Sequence, residues 1–452
     1  MREPRRIGGF AAGILAILAG TSGLRAQEPS RLTPERREEI VRAVCDRLEK
    51  IYPDAKIGRE TSLALSRALE GGRYADSATG PELAKIVTDD LERASRDLHL
   101  DLLYNPGLAK ALRGAAPGAP SAAAGTAAEA DAERWTNYGF RELRILGGNV
   151  GYLDLRVFFA PEYAGDTAAA AMGFFAGCRA LIIDLRQNGG GWDGMVNLLL
   201  GYFVDPRDEG VFTILRSTLT EDSYAVSVLP PYVPGRRLTG IPVYVLTSGS
   251  TASGAEAFAY RMKHFKRATL VGARTAGAER PVEHIALDDE FVLQIPAWKT
   301  VFSATGAGWE GRGVEPDIAA DAEQALDTAY RHALETLLDK AADEKDRGRV
   351  RWALDGLKAK IEPPAIDRWL LESCAGRYGT ATISFENGAL YFQGAANRPR
   401  RRLVPITQDY FALEGRDDRR VRIVREGDKI TALHVIDFDG SLSSIKREPA
   451  GL

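Results

Sequence analysis

Two apolar runs, 180–184 (ALIID) and 241–247 (IPVYVLT), each end in a short polar turn, and each is followed by a segment with apolar residues at helical spacing. Runs this short and uniformly apolar are characteristic of strands buried on both faces. With a further strand at 267–272 (RATLVG), they predict right-handed βαβ units around a largely parallel sheet. In such a sheet the carboxyl ends of the strands line one rim. The two polar turns, DLRQNGGG at 184–191 and LTSGSTASGAEAFAY at 246–260, are therefore expected side by side on that rim.

Ser253 lies on the second turn, just ahead of a helix predicted over 255–265. A hydroxyl there meets the positive end of the helix dipole and the free amides of the first turn, which favour a developing oxyanion. Serine is equally at home at that position as a plain helix cap. The first turn has two readings of its own. Gly189, Gly191 and Gly194 satisfy GxGxxG, the dinucleotide fingerprint, but Asp184, Arg186 and Asn188 separate strand from glycines. The acidic residues about twenty positions on, Asp205, Asp208 and Glu209, sit in a polar turn rather than at a strand end. The alternative is that bare glycine backbone lets N–H groups approach a substrate oxygen, as an oxyanion hole requires.

In order, DLRQNGGG, YVLTSGSTASGAEAFAY, RATLVGARTAGA and WEGRGVEPDI resemble the C-terminal-processing, or tail-specific, serine peptidases, in the branch of the tricorn protease core and the interphotoreceptor retinoid-binding protein repeats. The resemblance spans roughly residues 31–333 and implies a crotonase-like α/β core. It places the nucleophile on Ser253, and the oxyanion donors on Gly254 and on Gly190 or Gly191. Tail-specific enzymes carry a lysine base in a TFGKG-like segment, where this chain has Thr275, Ala276, Gly277 and Ala278. The tricorn-like alternative uses histidine and glutamate, which the resemblance places on His99 in DLHL and Glu310 in WEGRGVEPD. His99 would accept the Ser253 proton and return it to the leaving amine, and Glu310 would orient and stabilise the imidazolium. Without the resemblance, His99 reads as an ordinary half-buried histidine and Glu310 as a loop carboxylate beside Arg312.

His264, His284, His332 and His434 have no mutual spacing that suggests a metal, and no HExxH, paired CxxC, P-loop or EF-hand spacing occurs, so no metal or cofactor is expected. A net charge of −3, without a basic block interleaved with aromatics, argues against nucleic acid as a partner. Cys45, Cys178 and Cys374 are too few and too scattered for a disulfide framework. Arg2, Arg5 and Arg6 precede an apolar run over 7–24, with Ala26 available for cleavage, so residues 1–26 read as a secretory signal peptide. The expectation is an exported protein, periplasmic or secreted, without stable membrane insertion.

Helical spacing over 31–113 predicts an N-terminal helical bundle, and 114–133 is an Ala/Gly/Pro-rich linker too short to hold a PDZ module. The α/β core covers 134–333, and a helical connector covers 334–365. Over 366–452, alternating runs with Asn387-Gly388 and Asp439-Gly440 turns predict a small antiparallel β-barrel or sandwich. The favoured function is a serine-type endopeptidase, a hydrolase acting on peptides or unfolded protein segments. The alternatives are a non-catalytic carrier of apolar ligands, as in the retinoid-binding repeats, and a dinucleotide-binding enzyme.

Overall fold

The computed structural model describes residues 31–114, 127–207, 213–218, 224–302 and 308–449; the signal segment and the centre of the linker lie outside them. The chain divides into two compact units, one of residues up to Leu143, Leu153–Gly177 and Ile183–Ala322, the other of Arg144–Tyr152, Cys178–Ile182 and Glu323 onward. No helix among the described residues is long and apolar enough to cross a membrane.

The N-terminal part is a helical layer on a small sheet. Helix α1 (Pro34–Ile51) opens with Thr33 capping the Arg36 N–H and proline in its first turn, and α2 (Ala55–Glu70) opens on Asp54, whose carboxylate accepts from two amides. Helix α3 (Gly80–Ser95) starts at a Thr79/Glu82 capping box and stops at Arg96, which turns left-handed at φ +58°. The stop frees Asp97 and His99 ahead of strand β1 (Asp101–Tyr104). Val41, Val44, Leu48, Leu65, Leu83 and Val87 form a core with Phe291, Leu293 and Ile295. Those last three come from a strand far along the chain, so sequence distance hides the packing that holds the His99 segment.

Short helices α4 (Pro106–Gly114) and α5 (Ala127–Arg134) lead to β2 (Phe140–Leu146), β3 (Val150–Leu155), α6 (Pro161–Phe174), β4 (Ala180–Asp184) and α7 (Asp193–Leu200). Helix α6 begins at Pro161, where proline supplies a pre-formed first turn. Next come β5 (Thr213–Ser217), β6 (Tyr224–Ser227), β7 (Val243–Thr247), α8 (Gly254–His264), β8 (Thr269–Gly272), β9 (Val282–Ala286), β10 (Phe291–Pro296), β11 (Trp298–Phe302) and β12 (Ile318–Ala319). A six-stranded sheet runs β12-β8-β7-β4-β3-β2, with β7–β8 and β8–β12 parallel; β4 and β7 are buried along their whole length. Antiparallel β1-β10-β9 and β11-β5-β6 complete the set.

In the second unit, α9 (Ala325–Asp339), α10 (Glu344–Ile361) and α11 (Arg368–Cys374) precede eight antiparallel strands: β13 (Gly376–Tyr378), β14 (Ala381–Glu386), β15 (Ala389–Gln393), β16 (Arg401–Pro405), β17 (Tyr410–Leu413), β18 (Arg416–Glu426), β19 (Lys429–Asp437) and β20 (Leu442–Lys446). The strands follow chain order, and a Tyr378–Arg447 bridge joins the two edges, so the sheet closes into a barrel. Its interior is filled by Tyr378, Ile383, Leu390, Leu403, Phe411, Val421 and Leu433, with Cys374 from α11. Phe411 is fully buried there. Phe411→Ala is expected to lower unfolding free energy by about 3–5 kcal/mol, read as a shifted urea midpoint of the barrel fluorescence transition.

Candidate active site

Ser253 stands at the turn between β7 and α8 with φ +51° and ψ −120°. A non-glycine residue in that half of the map is strained by roughly 1–3 kcal/mol and persists only where its surroundings over-determine it. Here they do so through hydrogen bonds: the Ser253 N–H donates to the Ala278 carbonyl at 3.0 Å and to Glu256 Oε2 at 3.0 Å. Thr251 Oγ1 donates to the Leu185 carbonyl at 2.8 Å and Ser248 Oγ to the Arg186 carbonyl at 2.6 Å, stitching the serine loop to the end of β4.

The glycine turn is pressed against that loop. Asn188 is fully buried; its Nδ2 donates to the Leu155 carbonyl at 3.0 Å and its Oδ1 accepts the Gly190 N–H at 2.9 Å. The Gly190 carbonyl accepts from Phe158, and the Trp192 N–H donates to the Phe158 carbonyl. The Gly190 amide is thus occupied, whereas among the described residues no acceptor faces the Gly191 or Gly254 N–H. A side-chain carbon at Gly190 would lie 2.7 Å from Ser253 Cβ, and one at Gly254 would lie 3.1 Å from the Gly191 nitrogen. The Gly190–Gly191 turn is thus packed tightly against the Ser253–Gly254 backbone. Of the fingerprint glycines, Gly191 is closed off by the Phe158 backbone and Gly194 by the Pro161 ring, which disfavours the dinucleotide reading.

Glu256, fully buried, is a site residue that sequence reasoning missed. Oε1 accepts from Thr275 Oγ1 and, at 2.8 Å, from the Gly277 N–H, while Oε2 accepts from Ala278 and Ser253. Burial pushes its carboxyl up, and these four donors push back without fully cancelling it. The Ser-x-x-Glu spacing of a capping box was the available signal.

The segment Ala278–Glu279–Arg280 then reaches the remaining groups. Glu310 Oε2 accepts from the Glu279 N–H at 2.8 Å and the Arg280 N–H at 3.2 Å, and Glu279 Oε2 accepts from the Glu310 N–H at 2.9 Å. The Arg280 guanidinium donates to Tyr52 Oη at 2.6 Å and approaches Asp97 Oδ2 at 3.5 Å. Tyr52 in turn donates to Asp97 Oδ2 at 2.6 Å. Asp97 Oδ1 accepts the His99 N–H at 2.9 Å and lies 3.3 Å from His99 Nδ1. Among the described residues, neither imidazole nitrogen has an aligned hydrogen-bond partner, although both are buried. Glu310 makes no hydrogen bond to His99 there, but it senses the charges of Asp97, Arg280 and His99.

Burial raises the carboxyl pKa of both Glu279 and Glu310, and each carboxylate adds repulsion, from its opposite number for Glu279 and from Asp97 for Glu310. For Asp97, burial also pushes upward, yet His99 and the Tyr52 hydroxyl outweigh it and hold the carboxyl below the usual range. A raised folded-state pKa means the native state binds more protons, so stability contributed by the glutamate pair is full below about pH 4.5 and declines as pH rises through the folded values. Glu279→Gln is expected to flatten that decline, checked by thermal midpoints between pH 4 and 7.

Residues 149–320 match the sequence model described as peptidase family S41. Tricorn protease of Thermoplasma volcanium is 29% identical over 142 residues, covering 31% of this chain and 12% of that protein. Carboxyl-terminal-processing protease of Synechocystis sp. is 32% identical over 137 residues, 29% of each chain. The chain thus spans under a third of the length of either relative. The solved structure of a lipoprotein from Streptococcus agalactiae aligns with TM-score 0.44 and 16% identity over 70% of this chain and 100% of that one.

Proposed function

We propose, from the match of residues 149–320 to the peptidase family S41 model, that this chain is a serine endopeptidase acting on peptides or unfolded protein segments. Ser253 is the nucleophile. His99 takes its proton as Oγ bonds to the scissile carbonyl carbon, then gives that proton to the leaving amine as the C–N bond breaks. The amides of Gly191 and Gly254 receive the oxyanion, and Glu310 supplies negative charge that stabilises the imidazolium. The reading includes a crotonase-like core without a PDZ module, and export directed by residues 1–26.

The observation that carries this proposal is the tripeptide 278–280. Its Ala278 carbonyl holds Ser253, its Glu279 and Arg280 amides hold Glu310, and its Arg280 side chain meets the Tyr52–Asp97 pair next to His99. Three residues remote in sequence are tied to one short segment, and that segment adjoins 275–278, where the lysine-dependent relatives carry their base. The test is hydrolysis of a denatured protein by the purified chain, with and without a fluorophosphonate. Hydrolysis abolished by the reagent supports the proposal. Absence of hydrolysis, or hydrolysis indifferent to the reagent, contradicts it.

A further inference from the structure

His99 has two carboxylates within electrostatic reach, and one of them, Asp97, lies within 3.3 Å of a ring nitrogen. Asp97 Oδ1 is 3.3 Å from Nδ1, whereas the Glu310 hydrogen bonds described above go to the backbone of Glu279 and Arg280. Asp97 is 2% exposed and cannot swing away. One oxygen is fixed by the His99 amide, the other by the Tyr52 hydroxyl at 2.6 Å, with the Arg280 guanidinium joining both Tyr52 and Asp97.

Resting on the serine peptidase reading, we propose that Asp97 is the positioning residue that fixes the tautomer and orientation of His99, with Tyr52 and Arg280 holding Asp97, while Glu310 contributes charge alone. The chemistry is that of a carboxylate accepting Nδ1–H, so that Nε2 keeps the lone pair that takes up the serine proton. When Nε2 takes that proton, the imidazolium lies against the Asp97 carboxylate, which His99 itself and the Tyr52 hydroxyl hold in its ionised form. Asp97 does not become protonated at any step. The division of labour also accounts for Tyr52, a buried hydroxyl on the α1 end of the helical layer whose acceptor is this carboxylate.

The experiment compares Asp97→Asn, Tyr52→Phe and Glu310→Gln in peptide turnover, and adds nitrogen NMR of the labelled histidines in the wild-type chain, with His99 assigned by His99→Gln. The proposal expects neutral His99 to be protonated on Nδ1 in the wild type and on Nε2 in Asp97→Asn. It expects Asp97→Asn to lower kcat by about 10³- to 10⁴-fold with KM nearly unchanged. Tyr52→Phe should lower kcat by about tenfold, and Glu310→Gln by less than Asp97→Asn. A wild-type His99 protonated on Nε2 overturns the proposal even if Asp97→Asn fails to fold. So does Asp97→Asn retaining kcat within about threefold of wild type. Fluorophosphonate labelling of the wild type separates the two levels: labelling that needs Ser253 but not Asp97 removes this inference alone, whereas no labelling removes the serine reading beneath it.

Discussion

Ser253→Ala is expected to reduce peptide hydrolysis by about 10⁴- to 10⁶-fold, measured as kcat on a fluorogenic peptide identified from digests of a denatured protein. The magnitude follows from losing the bond-forming atom. Residual turnover would rest on the two glycine amides and on substrate binding, which act without a nucleophile. The fold should survive, because most contacts that hold this turn belong to the backbone: the residue 253 N–H still reaches Ala278 and Glu256, and what is lost is the Ser253 half of the capping box. A thermal midpoint close to wild type with turnover gone is the expected pair of results. Turnover within tenfold of wild type would mean that another group carries the reaction.

Gly191→Ala is expected to be the most damaging single-methyl change in the site. Gly191 has φ +130°, which an L side chain rarely adopts, and the added carbon would stand 2.3 Å from the Phe158 carbonyl oxygen. Phe158 cannot retreat, since its N–H and carbonyl are both bonded to the glycine turn and its ring packs on Phe258. The segment must therefore shift, and with it the amide proposed to receive the oxyanion. Losing one such donor removes about 10² to 10³ in kcat, and the backbone strain adds roughly 1–3 kcal/mol of destabilisation. Thermal melts and kcat measured together check both. A variant with wild-type kcat and stability would show that the amide is not used.

What the sequence made legible lay close to strand ends. Uniformly apolar β4 and β7 announce a buried sheet, and the turns after them hold Ser253 and the Gly190–Gly191 pair, so local patterning alone brings these groups to one rim. Hairpin turns such as Asn387-Gly388, both with positive φ, announce the C-terminal strands for the same local reason. Barrel closure through Tyr378 and Arg447 was not legible, because it joins the two ends of that region. Nor was the proposed preference for Gly191 over Gly190, which rests on the Asn188 side chain occupying the Gly190 amide, a detail of the turn rather than of composition. The Arg280 contacts with Tyr52 and Asp97 cross 228 and 183 residues of sequence, and no spacing rule connects them. Strands β1, β9 and β10 went unread because runs of four to six residues carry little periodicity, yet β10 supplies the Gln294 amide that donates to the His99 carbonyl at 3.0 Å.

One hydroxyl in this chain, that of Ser253, is expected to be an activated nucleophile. The most direct test is to treat the folded protein with a fluorophosphonate, digest it, and locate the adduct by tandem mass spectrometry. The account predicts a single phosphonyl group on Ser253, absent after heat denaturation and in His99→Ala. An adduct on another residue, or none on a well-folded chain, would contradict it.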